Sequence, residues 1–263
     1  MTTQGQPVRY DVAERVATIT LDRPDVRNAL SSEVLELLPA LIQRAEDDSE
    51  IDVMILTGSD PAFCAGLDLR ELGSTAGNLG GRGGSDGSAP SHRSRGPFPA
   101  HTKPLLGAIN GVAVTGGFEL ALNCDLLVAS EHAKFGDTHA RVGIMPGWGL
   151  SVLLPQAIGV RRAREMSFTG NFMDAEEALR FGLVNHVVQH DELMPFTRSI
   201  AADIVGNEQP AVRGLRATYD AVTFDDDGWE NEARAARAWR RDHFSADRVA
   251  ERREQIQARG RTQ

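Results

Sequence analysis

The sequence predicts an α/β protein with parallel strand pairing and a helical C-terminal part. Three observations carry this expectation: short apolar strand-type runs recur along the chain, amphipathic helical periodicity separates them, and strand signals stop near Asp191. The elements follow in order. Residues 15–21 (RVATITL) read as a strand ended by Asp22, Arg23 and Pro24. Val34, Leu37, Leu38, Leu41, Ile42 and Ala45 then recur at helical spacing and mark an amphipathic helix. Residues 52–57 (DVMILT), 105–110 (LLGAIN) and 125–130 (DLLVAS) are short runs of the kind buried on both faces of a parallel sheet. Residues 211–222, 229–244 and 246–259 read as helices loaded with Arg, Glu and Asp.

Between residues 73 and 99 the composition collapses into Gly, Ser, Pro and Arg, with too little apolar surface to order itself. A mobile insertion beside a binding site is expected there, with Phe98 as its main anchor, and deleting residues 77–90 is expected to leave the fold intact.

The 263 residues are long enough to bury a sizeable core, and a composition 41% hydrophobic and 25% charged is ordinary for a globular protein. A net charge of −9 argues against a general nucleic-acid or acidic-membrane surface, because such partners are held by summed positive potential. No apolar run reaches the roughly 18 residues of a membrane span, and the N-terminus lacks a basic segment followed by an apolar one. A soluble, cytoplasmic protein is expected. Two cysteines, Cys64 and Cys124, are too few for a disulfide framework and lack the company of a metal site, so both read as free thiols.

Two motif matches fail on context. Residues 83–87 (GGSDG) fit G-x-S-x-G but have neither the strand nor the helix that a nucleophile elbow requires. The same glycines do not complete G-x-G-x-x-G, and G-K-[ST] occurs nowhere, so dinucleotide and P-loop chemistry are disfavoured.

Residues 110–125 (NGVAVTGGFELALNCD) are more informative. A strand runs into Gly116 and Gly117, which open a helix whose first N–H groups can face a developing oxyanion and whose lack of Cβ permits close backbone approach. Glu119 then stands in an apolar helical stretch, where an ionised carboxylate is costly unless partnered. Two readings fit: a catalytic carboxylate, or one member of a polar stripe formed by Thr115, Glu119 and Asn123. A second turn, residues 61–69 (PAFCAGLDL), can present another N–H at Leu67; alternatively Gly66 is only a tight turn and Asp68 a helix cap.

Residues 19–24 (ITLDRP), 28–30 (NAL), 56–58 (LTG), 63–69 (FCAGLDL), 103–104 (KP), 110–111 (NG), 116–121 (GGFELA), 124–125 (CD), 134–136 (KFG), 143–147 (GIMPG), 175–178 (AEEA) and 182–185 (GLVN) together resemble the enoyl-CoA hydratase/isomerase family, the crotonase superfamily. The ordered set spans residues 16–188. The resemblance implies a crotonase-like spiral of repeated β-β-α units over residues 1–195 and a helical oligomerisation subdomain over 196–263 that forms a homotrimer or a hexamer. It implies a CoA thioester as substrate, with no metal or redox cofactor, and a place in fatty acid metabolism. The N–H groups of Leu67 and Gly116 would bind the thioester oxygen, and Glu119 would work on water or a proton. Arg27, Asn28, Ala29, Ala65, Gly66, Asp68, Arg70, Gly117, Pro146, Gly147 and Trp148 would line the CoA and acyl sites. Arg27 and Arg70 are the candidates for the CoA phosphates, with exposed solvation as their alternative.

One departure stands out. Hydratases carry a second glutamate after the Phe-Gly pair, and here residues 135–143 (FGDTHARVG) place His139 there. Histidine can donate the proton instead, or it can merely wall the pocket. An imidazolium there would attract Glu119 and couple to it, and His139→Glu is expected to raise a weak natural hydration. The implied function is an enoyl-CoA hydratase-like lyase. Its alternatives are enoyl-CoA isomerisation, thioester hydrolysis, dehalogenation, or a catalytically weak acyl-CoA-binding protein.

Overall fold

The structure of the protein is a computed structural model that describes residues 6–74, 96–223 and 226–261. Most of the glycine-rich stretch expected to be a mobile insertion, residues 75–95, lies outside the described residues. In chain order the elements are β1 (Val8–Ala13), β2 (Val16–Leu21), α1 (Ser32–Asp47), β3 (Val53–Gly58), β4 (Ala62–Cys64), α2 (Leu69–Ser74), β5 (Leu105–Ile109), β6 (Val112–Val114), α3 (Gly116–Leu122), β7 (Leu126–Ser130), β8 (Lys134–Gly136) and α4 (His139–Val142). There follow α5 (Leu150–Ile158), α6 (Val160–Thr169), β9 (Phe172–Asp174), α7 (Ala175–Phe181), β10 (His186–Val188), α8 (Leu193–Val205), α9 (Gln209–Thr223), α10 (Asp226–His243) and α11 (Ala246–Arg261).

A β-β-α unit repeats along the middle of the chain, as β3-β4-α2, β5-β6-α3 and β7-β8-α4. The first strand of each unit enters a sheet ordered β1-β2-β3-β5-β7-β10, and the second enters a sheet ordered β4-β6-β8-β9. Neighbours from successive units pair in parallel in both sheets, whereas β1 with β2 and β8 with β9 are antiparallel. The chain therefore winds as a spiral, each unit laying one strand on each sheet.

Side-chain alternation explains why the central strands of the larger sheet, β3, β5 and β7, are nearly all apolar. Met54, Leu56, Leu105, Ile109, Leu127 and Ala129 join the main core, which also takes Phe63, Ala113, Phe118 and Phe135 from the other sheet and α3. Val53, Ile55, Leu106, Ala108 and Val128 point the other way, where Leu193 and Ala201 of α8 cover them. Burying each Val, Leu, Ile, Met or Phe among them contributes about 1.5–3 kcal/mol before chain entropy is subtracted. The boundary expected at residue 195 falls inside α8, which packs on the sheet in this way.

Helix α1 starts where Ser31 accepts from the Val34 N–H, and at its far end buried Lys103 donates from Nζ to the carbonyls of Ala45 and Asp48, each at 2.7 Å. Phe98 is buried in the main core, as an anchor should be. Cys64 and Cys124 are free and buried. No helix among the described residues is long and apolar enough to cross a membrane.

Candidate active site

The small sheet decides where the motifs meet. Strands β4, β6 and β8 are adjacent and parallel, with Cys64 opposite Ala113 and Val114 opposite Gly136. The segments that leave their C-terminal ends, residues 65–67, 115–117 and 137–139, therefore emerge side by side although they lie far apart in the chain.

Glycine makes the approach close enough. A Cβ on Gly117 would lie 2.3 Å from the Cys64 carbonyl oxygen, and one on Gly66, which has φ +82°, would lie 2.9 Å from the Val114 carbonyl oxygen. Only residues without a side chain let the two turns touch backbone to backbone. Thr115 takes φ +53°, an unfavourable conformation for a β-branched residue. It is held there by its N–H bond to the Gly136 carbonyl at 3.0 Å and by a 2.6 Å hydroxyl contact with Thr138. Among the described residues, the N–H groups of Leu67 and Gly116 have no acceptor. The oxyanion hole expected from the sequence requires two such donors.

Glu119 is buried in α3 and fully partnered. Its Oε1 accepts from the N–H groups of Gly147 at 3.2 Å and Trp148 at 2.8 Å, and its Oε2 lies 3.3 Å from His139 Nε2. His139 Nδ1 in turn lies 2.7 Å from Asp137 Oδ1. The imidazole is thus clamped between two carboxylates. Burial alone would push its pKa down, but the Glu119 and Asp137 charges and hydrogen bonds win and push it up to about 10. Burial opposes the shift of Asp137 also, and its bonds with His139 hold that carboxyl below its usual range.

The polar stripe of Thr115, Glu119 and Asn123 exists, and all three of its members are buried. Asn123 Nδ2 donates to the Trp148 carbonyl at 2.7 Å, so α3 grips the turn at residues 147–148 from two positions. The ring of Trp148 comes within 3.0 Å of where a Cβ on Gly116 would be, and so walls the site beside the Gly116 backbone.

A cavity of about 320 Å³ opens along Arg27, Ala29, Ala65, Leu67, Asp68, Arg70, Thr115 and Thr138, with Ile256 and Gln257 of α11 across it. Glu119 and His139 do not line this cavity; it is their neighbours Thr115 and Thr138 that do. Asn28 is buried with its side chain committed to the protein: Nδ2 donates to the Ser59 and Ala62 carbonyls and Oδ1 accepts from the Arg23 N–H. Asp68 accepts from Arg23 at 3.1 Å and from the Arg70 N–H. Pro146 is buried beside the turn that holds Glu119.

Sequence reasoning missed Asp137 and Glu232. The spacing of Asp137, two residues before His139, was a usable signal, because a carboxylate there can reach the following imidazole. Glu232 gave none: it is one acid among many on α10. It is nonetheless buried, and it accepts from Gly149 N–H and from the Ser151 N–H and hydroxyl.

The model of the enoyl-CoA hydratase/isomerase family matches residues 11–254. The chain is 36% identical over 225 residues to a short-chain-enoyl-CoA hydratase of Clostridium acetobutylicum, covering 82% of this chain and 85% of that one. It is also 36% identical over 225 residues to an (E)-benzylidenesuccinyl-CoA hydratase of Thauera aromatica, covering 84% of each. The crystal structure of an enoyl-CoA hydratase from Mycobacterium tuberculosis H37Rv superposes with a TM-score of 0.79 at 51% identity, covering 89% of this chain and 98% of that chain.

Proposed function

This chain belongs to the enoyl-CoA hydratase/isomerase family, and from that premise we propose that it adds water across the double bond of an α,β-unsaturated acyl-CoA with Glu119 and His139 as its proton-transfer groups. It is an enzyme of acyl-CoA thioesters. The observation that carries it is the Glu119–His139 contact at 3.3 Å with Asp137 behind the imidazole.

In this reading the thioester oxygen accepts from the Leu67 and Gly116 N–H groups. Glu119 takes a proton from water as its oxygen bonds to the β-carbon, and the double-bond electrons move into the thioester as an enolate. The enolate collapses as His139 Nε2 delivers a proton to the α-carbon. The proton on Glu119 then passes to His139, which restores both groups and leaves the elements of water on the substrate. An imidazole that is protonated at neutral pH supplies the second proton that a second glutamate supplies elsewhere in the family. Arg27 and Arg70 line the cavity, and in this reading they hold the CoA phosphates. The reading uses no resident metal, so dialysis against a chelator leaves the rate unchanged.

We extend the proposal to a trimer or hexamer built through the C-terminal helices. Leu215 and Tyr219 on α9 are 61% and 67% exposed, an apolar face that assembly would cover. Sedimentation velocity tests it, and a monomer at micromolar concentration overturns it.

The test of the reaction is turnover of a series of enoyl-CoA thioesters, followed by loss of the conjugated-thioester absorbance and by product mass. Gain of one water supports hydration; a shifted double bond or free CoA thiol points to isomerisation or hydrolysis. Glu119→Gln should lower the rate by about 10²–10⁴-fold with CoA binding kept. Unchanged turnover would assign the chemistry elsewhere.

A further inference from the structure

One turn of the protein is held between two buried carboxylates from different parts of the chain. The N–H groups of Gly147 and Trp148 point to Glu119 of α3, while the N–H groups of Gly149 and Ser151, with the Ser151 hydroxyl, point to Glu232 of α10. Glu232 and Trp229 sit one helical turn apart on α10 and close on the same spot, since a Cβ on Gly149 would overlap the Trp229 ring. Gly149 itself takes φ +93°, a left-handed conformation that favours glycine.

The turn's own backbone thus orients Glu119, and α10 fixes the turn. We propose that Glu232 is a positioning residue for the reaction: from the C-terminal helices it holds residues 147–151 in the register that aims the Glu119 carboxylate at its substrate. This rests on the reading that Glu119 moves a proton. Both oxygens of Glu232 are occupied by donors from the turn, so it is not a group that meets substrate itself. Burial and the nearby Glu119 charge both push the Glu232 carboxyl up. The consequence is that catalysis depends on docking of α10 although no residue of that helix performs chemistry.

A purely structural alternative exists, in which Glu232 only caps the start of α5. A kinetic cycle separates the two. Glu232→Gln keeps size and one acceptor oxygen but turns an NH₂ group toward a turn N–H, and kcat on the preferred enoyl-CoA should fall by about 10–100-fold with KM changed less than about threefold. In the Glu119→Gln background the same change should alter the residual rate by less than about threefold, because there is no longer a base to aim. Equal factors in both backgrounds, or no loss in the natural protein, would overturn the inference while leaving the role of Glu119 intact. If Glu119→Gln keeps full turnover, the functional reading fails first and takes this inference with it. Should Glu232→Gln not fold, Ser151→Ala, which removes one donor to Glu232, enters the same cycle: a smaller loss confined to the natural background supports the inference, and equal factors or no loss overturn it.

Discussion

His139 Nδ1 lies 2.7 Å from Oδ1 of Asp137, two residues earlier in the chain, and this bond sets what His139 can do. With Nδ1 committed to Asp137, Nε2 faces Glu119. His139 is therefore the middle member of an Asp137–His139–Glu119 chain, and the two carboxylates fix both its orientation and its charge.

The raised pKa of His139 has a consequence for stability. The folded value is about 10 against an ordinary 6.5, so between those values the folded chain binds more protons than the unfolded one, and stability falls as pH rises through that window. The contribution is fully present only below about pH 6.5. Urea midpoints across pH 6–10 should fall more steeply for the natural protein than for His139→Gln; equal slopes would show that the imidazole is not charged in the fold. The alkaline limb of kcat should lie at the same folded value and vanish in that variant.

His139→Ala leaves Glu119 and Asp137 buried without the cation between them. Removing one member of a buried ion pair costs about 3–5 kcal/mol, and a chemical-denaturation curve at pH 7 reads it. A loss under ~1 kcal/mol would mean that water or relaxation replaces the cation.

Asp137 also changes the expectation that His139→Glu raises hydration. A glutamate at 139 would meet a buried carboxylate on either side, Asp137 and Glu119, and like charges that close do not both ionise. The single variant should lose hydration and stability. The double variant Asp137→Asn, His139→Glu should recover part of both, and failure of Asp137→Asn to improve on the single variant would sink this account.

The glycine contacts predict unequal costs. Gly117→Ala sets a Cβ into the Cys64 backbone and should cost about 3 kcal/mol or more, seen as a lowered melting temperature. Gly66→Ala strains a left-handed turn by about 1–2 kcal/mol and shifts the Leu67 N–H, so its main effect should be on kcat, by up to about 10²-fold. Equal effects on stability and rate in the two variants would contradict the arrangement.

Burial pushes the Cys64 thiol up to about 12 and that of Cys124 well above its usual value. A disulfide reagent at pH 8 should leave both untouched in the native protein and modify both at the unfolding rate in urea. Rapid reaction of either thiol in buffer would show an opening that the fold does not have.

The sequence by itself determined the α/β class, because strands buried on both faces must be apolar throughout and residues 52–57, 105–110 and 125–130 are nearly so. It determined the helix at residues 34–45 and the paired glycines through spacing alone, and it determined the family because twelve short motifs keep one order. It did not show β1 or the short strands β4, β8, β9 and β10: the last four run three residues each, too few for any periodicity to register. Strands β4, β6 and β8 place the site, since their parallel register gathers residues 65–67, 115–117 and 137–139 at one end of a sheet. The sequence likewise named Glu119 and His139 but left the partners of each open. Only the tertiary structure decided that Asp137 holds the imidazole and that Glu232, 113 residues beyond Glu119, holds the turn that orients the carboxylate. The physical reason is that burial and hydrogen-bond geometry belong to packed elements, and a charged residue on a polar helix looks the same in sequence whether it faces water or a buried turn.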